Sequence, residues 1–150
     1  MPPFAVRAAT PEDVDLAYAI TRDAMQLYVE QTWGAWNEPE QWQKHQENYT
    51  PATHRIILVE GSEAGLVATE YERTHLWLVK LYLRSGYRDR GLGTDLLRMV
   101  LAEAAAYGKP ARLRVLRVNT RAQALYLRHG FRIVGETPER LFMERESSGA

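Results

Sequence analysis

The segment Arg88-Asp89-Arg90-Gly91-Leu92-Gly93 constrains the fold of this chain more than any other part of its sequence. It follows an apolar stretch rich in Leu, Trp, Val and Tyr that predicts a strand, and it leads into a stretch with apolar residues at helical spacing. The first amides of a helix lack internal partners, and the helix dipole places partial positive charge there. Glycines leave the backbone accessible and arginines add positive charge. The segment therefore predicts an anion site at a helix start, although a plain surface turn explains the loop equally well when it is taken alone.

Two familiar phosphate loops are excluded by single residues. Gly86 and Gly91 have the spacing of a Walker loop, but Leu92-Gly93 follows where a lysine and a hydroxyl residue are required. A dinucleotide fingerprint needs a third glycine where this sequence has Leu96, and its strand would have to open a parallel βαβ unit. The pattern that remains is Arg-x-x-Gly-x-Gly.

The composition sets limits on the class of protein. At 150 residues the chain is expected to form a single domain, residues 1–150. Lys plus Arg and Asp plus Glu both number 19, so nucleic acid is not an expected partner, although a local basic patch is compatible with zero net charge. Cysteine is absent, which excludes disulfides and thiolate chemistry and fits a reducing cytoplasm. Met1 to Thr10 is not expected to be a signal peptide, and no apolar run approaches the ~20 residues of a membrane span, so no membrane partner is expected.

The remaining elements follow from periodicity and from turn residues. We expect strands at Phe4–Arg7, Arg55–Glu60, Ala64–Glu72, His75–Arg84, Arg112–Val118, Phe131–Glu136 and Arg140–Glu146. We expect helices from a capped start at Thr10–Asp13 to Gln31, from Pro39 to Tyr49, from Gly91 to Tyr107, and from Asn119 to Gly130, with Ser147–Ala150 as a frayed tail. The order β-α-α-β-β-β-α-β-α-β-β predicts an α/β (α+β) domain with a mixed sheet.

Other catalytic patterns are missing from the sequence. The four histidines have no metal-ligand spacing, so no metal is expected. There is also no Gly-x-Ser-x-Gly elbow of a serine hydrolase.

A second motif lies at Val118-Asn119 to Gly130-Phe131, where a strand ends in Asn and a helix with Ala122 and Tyr126 closes on Gly-Phe. With this motif and the Arg88–Gly93 loop, the sequence resembles the GNAT superfamily of N-acetyltransferases along its whole length. The resemblance implies the acyl-coenzyme A N-acyltransferase fold, a twisted mixed sheet of about seven strands with four helices. It also implies direct acetyl transfer from acetyl-coenzyme A to a primary amine of a small molecule, peptide or protein.

The resemblance further implies a coenzyme A site. Loop amides would hold the pyrophosphate, and the end of the preceding strand would pair with the pantetheine arm through its main chain. The implied contacts are Leu81, Tyr82, Leu83, Arg88, Asp89, Arg90, Gly91, Leu92, Gly93, Thr94, Asn119 and Tyr126. Tyr126 is the implied general acid that protonates the thiolate, and its alternative is a core tyrosine. The alternative for Asn119 is a helix N-cap.

The general base and the acceptor are less well defined. No carboxylate precedes the loop on the strand His75–Lys80, which keeps a non-catalytic acyl-coenzyme A sensor as the rival reading. Aromatic and acidic residues between the first two helices predict an acceptor site with Glu30, Trp33, Trp36 and Glu38. The alternative is that Trp33 and Trp42 pack the helices onto the sheet. The oligomeric state stays open, with a homodimer as one candidate.

Overall fold

The structure is a computed structural model that describes residues 4–147. The strands are β1 (Ala5–Ala8), β2 (His54–Val59), β3 (Ser62–Tyr71), β4 (Leu76–Leu83), β5 (Ala111–Leu116), β6 (Arg132–Glu136) and β7 (Arg140–Arg145). The helices are α1 (Val14–Trp33), α2 (Glu38–Asn48), α3 (Leu92–Tyr107) and α4 (Thr120–Arg128). The predicted order is confirmed, with element ends displaced by only a few residues. Of the expected frayed tail, residues 148–150 lie outside the described range, as do residues 1–3 of the segment tested for a signal peptide.

The strands form the predicted mixed sheet of seven, in the order β1-β2-β3-β4-β5-β7-β6. The pairs β1–β2, β2–β3, β5–β7 and β6–β7 are antiparallel, whereas β4 and β5 are parallel and pair at their amino ends, Leu76 with Ala111 and Trp77 with Arg112. The chain divides into two compact units. The first runs to Ala68 and includes Lys80–Gly93, and the second comprises Thr69–Val79 and the chain from Thr94 onward. The single-domain assignment stays a prediction.

The first unit is built on α1, which packs its buried face against β2 and β3 through Ala17, Ile20, Ile56 and Leu66. The predicted cap before α1 is present, because Asp13 accepts the amide hydrogen of Thr10 at 2.8 Å. Arg7 adds two hydrogen bonds to the same carboxylate and holds the pKa of Asp13 down at about 2. This corner fixes the direction in which α1 leaves β1.

A bulge in β3 shapes the strand next to β4. Ile57 pairs with Gly65 and Leu58 with Glu63, so Ala64 is an extra residue in the β2–β3 ladder. The carbonyl of Ala64 accepts the amide hydrogen of Arg84 at 2.9 Å. The backbone of Gly65 lies so close to the carbonyl oxygen of Tyr82 that no side chain fits between them. The end of β4 is therefore held against β3 by backbone contacts.

The second unit is centred on the β5–β7 ladder, in which Leu113 pairs with Met143 and both side chains are buried. On the opposite face of the same strands, Arg112 donates to Glu144 at 2.6 Å, and this hydrogen bond lowers the pKa of Glu144. In this unit α3 also contributes buried side chains, among them Leu96, Leu97 and Val100. The strand expected at Arg112–Val118 is confirmed as β5, which ends at Leu116, and its side chains alternate between buried and less buried from Ala111 to Val115.

Candidate active site

The loop between β4 and α3 has a conformation that exposes its backbone. A 3₁₀ turn, Ser85–Tyr87, is followed by left-handed residues at Asp89 (φ 64°) and Gly91 (φ 77°), and α3 begins at Leu92. A methyl group added to Gly91 would meet no atom within 4 Å, so the space beside this glycine is open. Left-handed residues beside a helix start turn amide hydrogens toward one concavity, which is the arrangement that binds anions.

The Arg88 side chain forms hydrogen bonds and an ion pair within the protein, and these contacts could not be predicted from the sequence. Its Nε donates to the carbonyl of Leu83 at 3.0 Å, and its Nη2 donates to the carbonyl of Asp23 at 3.0 Å and lies 3.7 Å from the Asp23 carboxylate. Asp23 in turn accepts the amide hydrogen of Ser85 at 3.0 Å. Arg88 and Asp23 therefore tie the loop to the end of β4 and to α1. Asp23 belongs to no sequence motif that would have indicated its role in holding the loop.

Arg90, the other arginine of the loop, is exposed. Its guanidinium carbon lies 5.4 Å from the ring centre of Tyr87, within the range of a cation–π contact. This contact holds the side chain beside the turn while leaving its charge in solvent. Arg90 thus exposes its guanidinium donors to an anion, whereas Nε and Nη2 of Arg88 are engaged within the protein.

The residues expected to contact pantetheine, Leu81, Tyr82 and Leu83, are the last three of β4. The Tyr82 side chain packs against the core of the first unit, and its carbonyl faces Gly65. The Leu83 carbonyl accepts the Arg88 hydrogen bond. The Leu83 carbonyl thus already accepts one hydrogen bond within the first unit, and a main-chain role for this segment in binding pantetheine remains a prediction.

The predicted residues of the second unit are Thr94, Asn119 and Tyr126, and for two of them the structural alternative is visible. The Asn119 side-chain oxygen accepts the amide hydrogen of Ala122 at 3.1 Å and caps α4. Tyr126 is buried and packs edge-on against Phe131, with ring centres 5.6 Å apart. The cap occupies only the oxygen of Asn119, so its amide group retains donors. Thr94 lies in the first turn of α3.

The acceptor segment is partly assembled around Glu38. One carboxylate oxygen accepts from the hydroxyl of Tyr18 at 2.7 Å, and the other accepts from the indole of Trp36 at 2.9 Å and lies 3.2 Å from Arg22. Burial, followed by the bond to Glu38, raises the pKa of Tyr18. Tyr18 also stacks edge-on with Trp42 at 5.1 Å. Trp36 and Glu38 thus contact each other directly. Their further partners, Tyr18 and Arg22, could not be predicted from the sequence.

Glu30 and Trp33, the other two predicted acceptor residues, lie in the last turn of α1. Glu30 accepts a hydrogen bond from Gln26 at 3.2 Å, and the Trp33 side chain is 53% exposed. The exposure of Trp33 does not match the alternative in which this tryptophan packs a helix onto the sheet. Trp42, in contrast, packs against Tyr18 of α1 and His45 of α2, so its ring contacts join the two helices.

A buried polar cluster under α2 escaped sequence reasoning altogether. Burial lowers the pKa of Lys80 to about 8, and burial together with the charge of Lys80 lowers the pKa of His54 to about 4. His45 Nε2 lies 2.8 Å from the Val14 carbonyl oxygen, the ring stacks on Tyr49, and burial lowers the pKa of His45 as well. Because a carbonyl only accepts, the ring nitrogen of His45 that faces Val14 carries the proton. Lys80 stands on the strand where the sequence lacks a carboxylate.

Two kinds of feature are absent from residues 4–147. No group of three or more His, Asp or Glu side chains in this range is placed to hold a metal ion. No helix in this range is long and apolar enough to cross a membrane.

Comparison with known proteins identifies the family. The family model described as Acetyltransferase (GNAT) family matches residues 18–131. None of the curated proteins matches the chain in sequence. The fold is similar to that of the PaiA N-acetyltransferase from Thermoplasma acidophilum in complex with coenzyme A, with a TM-score of 0.77, 18% identity, and coverage of 95% of this chain and 98% of that one.

Two further solved structures have the same fold. The ribosomal-protein-S18-alanine N-acetyltransferase from Escherichia coli gives a TM-score of 0.71 at 22% identity, covering 98% of this chain and 96% of its own. Ard1 from Thermoplasma volcanium gives 0.68 at 21% identity, covering 96% and 97%. Because the family model covers most of the chain, this protein belongs to the GNAT family of acetyltransferases.

Proposed function

We propose that this protein is an acetyl-coenzyme A-dependent N-acetyltransferase that acetylates a primary amine in the cytoplasm. The observation that carries the proposal is the loop after β4. Two left-handed residues and the open space at Gly91 precede the first turn of α3, in a chain of the acetyltransferase family. This is the local geometry that a diphosphate requires. The absence of cysteine supports the cytoplasmic assignment.

Coenzyme A is the proposed donor carrier. Its pyrophosphate would be bound by the amides from Asp89 to Thr94, with Arg90 as the counter-charge, and Arg88 would keep the loop in shape rather than contact the phosphates. Leu81, Tyr82 and Leu83 would contact pantetheine through main-chain groups, and Asn119 through its remaining amide donors. The coenzyme A in the Thermoplasma acidophilum structure supports this choice of donor for a chain of the same fold.

In the proposed reaction, a neutral amine attacks the thioester carbonyl. The N–C bond forms, the tetrahedral oxyanion collapses, and the C–S bond breaks to release coenzyme A thiolate. The Tyr126 hydroxyl gives its proton to this thiolate, the proton lost by the amine passes to water, and water returns a proton to the Tyr126 phenolate. A main-chain amide near Leu83 would stabilise the oxyanion.

The acceptor is proposed to bind at the segment that holds Glu30, Trp33, Trp36 and Glu38. Exposed Trp33 offers an aromatic face, and Glu38 offers negative charge. Since Arg22, Tyr18 and Trp36 already engage the carboxylate of Glu38, an amine would share this carboxylate with Arg22. The segment is therefore best suited to an amine that approaches with a hydrogen-bond donor rather than with a fully desolvated charge.

An amine panel tests the activity. The chain is incubated with acetyl-coenzyme A and with small amines, peptide N-termini and lysine peptides, and free thiol is measured. The protein contributes no thiol signal of its own because it has no cysteine. Turnover on any amine supports the proposal. Coenzyme A binding without turnover would favour the sensor, and absence of binding would contradict both.

A pair of glycine variants tests the donor site. Gly91→Ala places a methyl group in the open space and strains a left-handed residue, whereas Gly86→Ala adds the same methyl group in the same loop, where it meets no atom within 4 Å and φ is ordinary. We expect Gly91→Ala to weaken coenzyme A binding by about tenfold or more, and Gly86→Ala to leave it near wild type. Equal affinities would refute the loop assignment.

A further inference from the structure

The second unit contains a pocket with an unusual concentration of positive charge. It lies between the middle of α3, the end of α4 and the end of β7, and its volume is about 540 Å³. Arg98, Arg128, Arg145 and His129 line it together with the apolar Leu101, and no Asp or Glu is among its lining residues. Because the chain as a whole has zero net charge, these side chains form a local excess of positive charge.

The arginines that line the pocket have no acidic partner among the residues that the structure describes. Three other arginines of the second unit are paired with acids: Arg112 with Glu144, Arg117 with Glu136, and Arg132 with Glu144 and Glu146. Within residues 4–147, the guanidinium groups of Arg98, Arg128 and Arg145 make no hydrogen bond or ion pair that would neutralise them. The acids nearest in sequence to Arg145, Glu144 and Glu146, are thus already engaged elsewhere. Like charges held together without a counter-ion favour the binding of an anion.

The local backbone positions two of these side chains. Gly130 ends α4 with φ 87°, and the position of its missing side chain lies 3.2 Å from Nε of Arg145, so the arginine occupies the space that glycine leaves. His129 Nδ1 lies 2.9 Å from the carbonyl of Leu125. Since a carbonyl only accepts, Nδ1 carries the proton and Nε2 remains available to the pocket. The carbonyls of Tyr126 and Leu127 are occupied by the amides of His129, Phe131 and Gly130, which reduces the negative charge at this helix end.

No residue of the Arg88–Gly93 loop lines the pocket. The pocket residues Arg98 and Leu101 lie six and nine residues beyond the start of α3 at Leu92, which is ~9 Å and ~13 Å along the helix axis at 1.5 Å per residue. The pocket is also larger than a single inorganic ion requires and falls within the ~300–1,000 Å³ range of small-molecule sites. Guanidinium groups bind phosphate and carboxylate oxygens in pairs. We propose that this pocket binds a small organic polyanion, a phosphate ester or a polycarboxylate, at a site distinct from the acetyl donor.

Calorimetry on the full chain tests the proposal. The chain is first saturated with coenzyme A, and inorganic pyrophosphate and citrate are then titrated separately, so that the phosphate and carboxylate sources are distinguished. If coenzyme A does not bind, which would contradict the proposed function, the same titrations on the chain alone still test the pocket. Saturable binding of either probe is the expected result.

Arginine variants assign the binding to the pocket. We expect Arg128→Gln with Arg145→Gln to weaken the probe by about tenfold or more, and Arg114→Gln, which removes an exposed charge from β5, to change it by less than about twofold. Thermal unfolding confirms that the variants are folded. Three results would overturn the proposal: no saturable binding of either probe, an equal loss in Arg114→Gln, or binding that disappears when coenzyme A is present.

Discussion

The guanidinium of Arg88 donates to the carbonyl oxygen of Leu83 at 3.0 Å, so that the residue ending β4 and a residue five positions later are joined directly. The same guanidinium reaches Asp23 on α1. The arginine of the Arg-x-x-Gly-x-Gly pattern thus stabilises the conformation of the loop through contacts with β4 and α1. Its effect on an anion would be exerted through the amides that it positions.

This arrangement predicts the effect of Arg88→Lys. Lysine keeps the charge but lacks a planar fork that reaches Leu83 and Asp23 together. We expect coenzyme A affinity to fall by about three- to tenfold and the free energy of unfolding to fall by about 1 kcal/mol. Calorimetry and urea unfolding measure the two effects, with Arg114→Lys as the control. Wild-type behaviour of Arg88→Lys would show that the loop does not depend on these bonds.

Gly65→Ala should be among the most damaging single-methyl changes in the first unit. The added carbon would meet the carbonyl of Tyr82, which is backbone and cannot rotate away. We expect a loss of about 1–3 kcal/mol in the free energy of unfolding, measured with urea. Gly86→Ala, whose new methyl group meets nothing within 4 Å, is the matched control. If both variants unfold alike, β3 and β4 are not in close contact at this point.

Tyr126→Phe separates the two readings of this residue. The ring packing on Phe131 is kept, and only the hydroxyl is removed. If the hydroxyl protonates the thiolate, kcat should fall by about 10² while the KM for acetyl-coenzyme A changes little. Steady-state kinetics with a good acceptor provide the measurement, and circular dichroism checks folding. Unchanged kcat would assign Tyr126 to the core alone.

Stability should rise with pH in two separate windows. The pKa of His54 falls from 6.5 to about 4 on folding, and that of Lys80 falls from 10.5 to about 8. In each interval the unfolded chain binds more protons than the folded one, so raising the pH favours the folded state. Urea unfolding between pH 4 and 6.5 and between pH 8 and 10.5 should show both rises.

Lys80→Met should remove the alkaline rise and stabilise the protein at neutral pH by on the order of 1 kcal/mol, because it relieves a buried charge. Lys44→Met, at an exposed helix position paired with Glu40, is the control and should leave the alkaline rise intact. If the stability of Lys80→Met still rises between pH 8 and 10.5, a group other than Lys80 causes that rise.

Glu38→Gln tests the acceptor segment. The amide can still meet Tyr18 and Trp36, but the negative charge opposite Arg22 is lost. We expect the KM for the amine to rise by about three- to tenfold, with coenzyme A affinity unchanged. Glu47→Gln, on the exposed surface of α2, serves as the comparison. Equal KM values for the two variants would remove Glu38 from the acceptor site.

The order of elements could be predicted because its signals are local. The Thr10–Asp13 cap, the glycines at 91 and 130, and the two-residue alternation of β5 each act over a few positions. The loop at Arg88–Gly93 could be predicted for the same reason. Its glycines, arginines and following helix are contiguous in the chain.

The partners of these residues could not be predicted, because they depend on tertiary contacts. Asp23 and Arg88 are separated by 65 positions, and Tyr18 and Glu38 by 20. Asp23 and Tyr18 resemble ordinary polar residues on a helix. The pocket of Arg98, Arg128 and Arg145 draws on three elements, and no spacing in the sequence connects them.

His54 allows the interior of the first unit to be observed in the unaltered protein. Its Nδ1 faces the carbonyl of Thr50 at 2.7 Å and therefore carries the proton, while Nε2 is buried without a hydrogen-bond partner among the residues that the structure describes. A histidine locked in this tautomer has a ¹⁵N spectrum unlike that of a solvated ring. A single resonance pair would thus report, in the wild-type chain and during turnover, whether water or a proton ever reaches the space beneath α2.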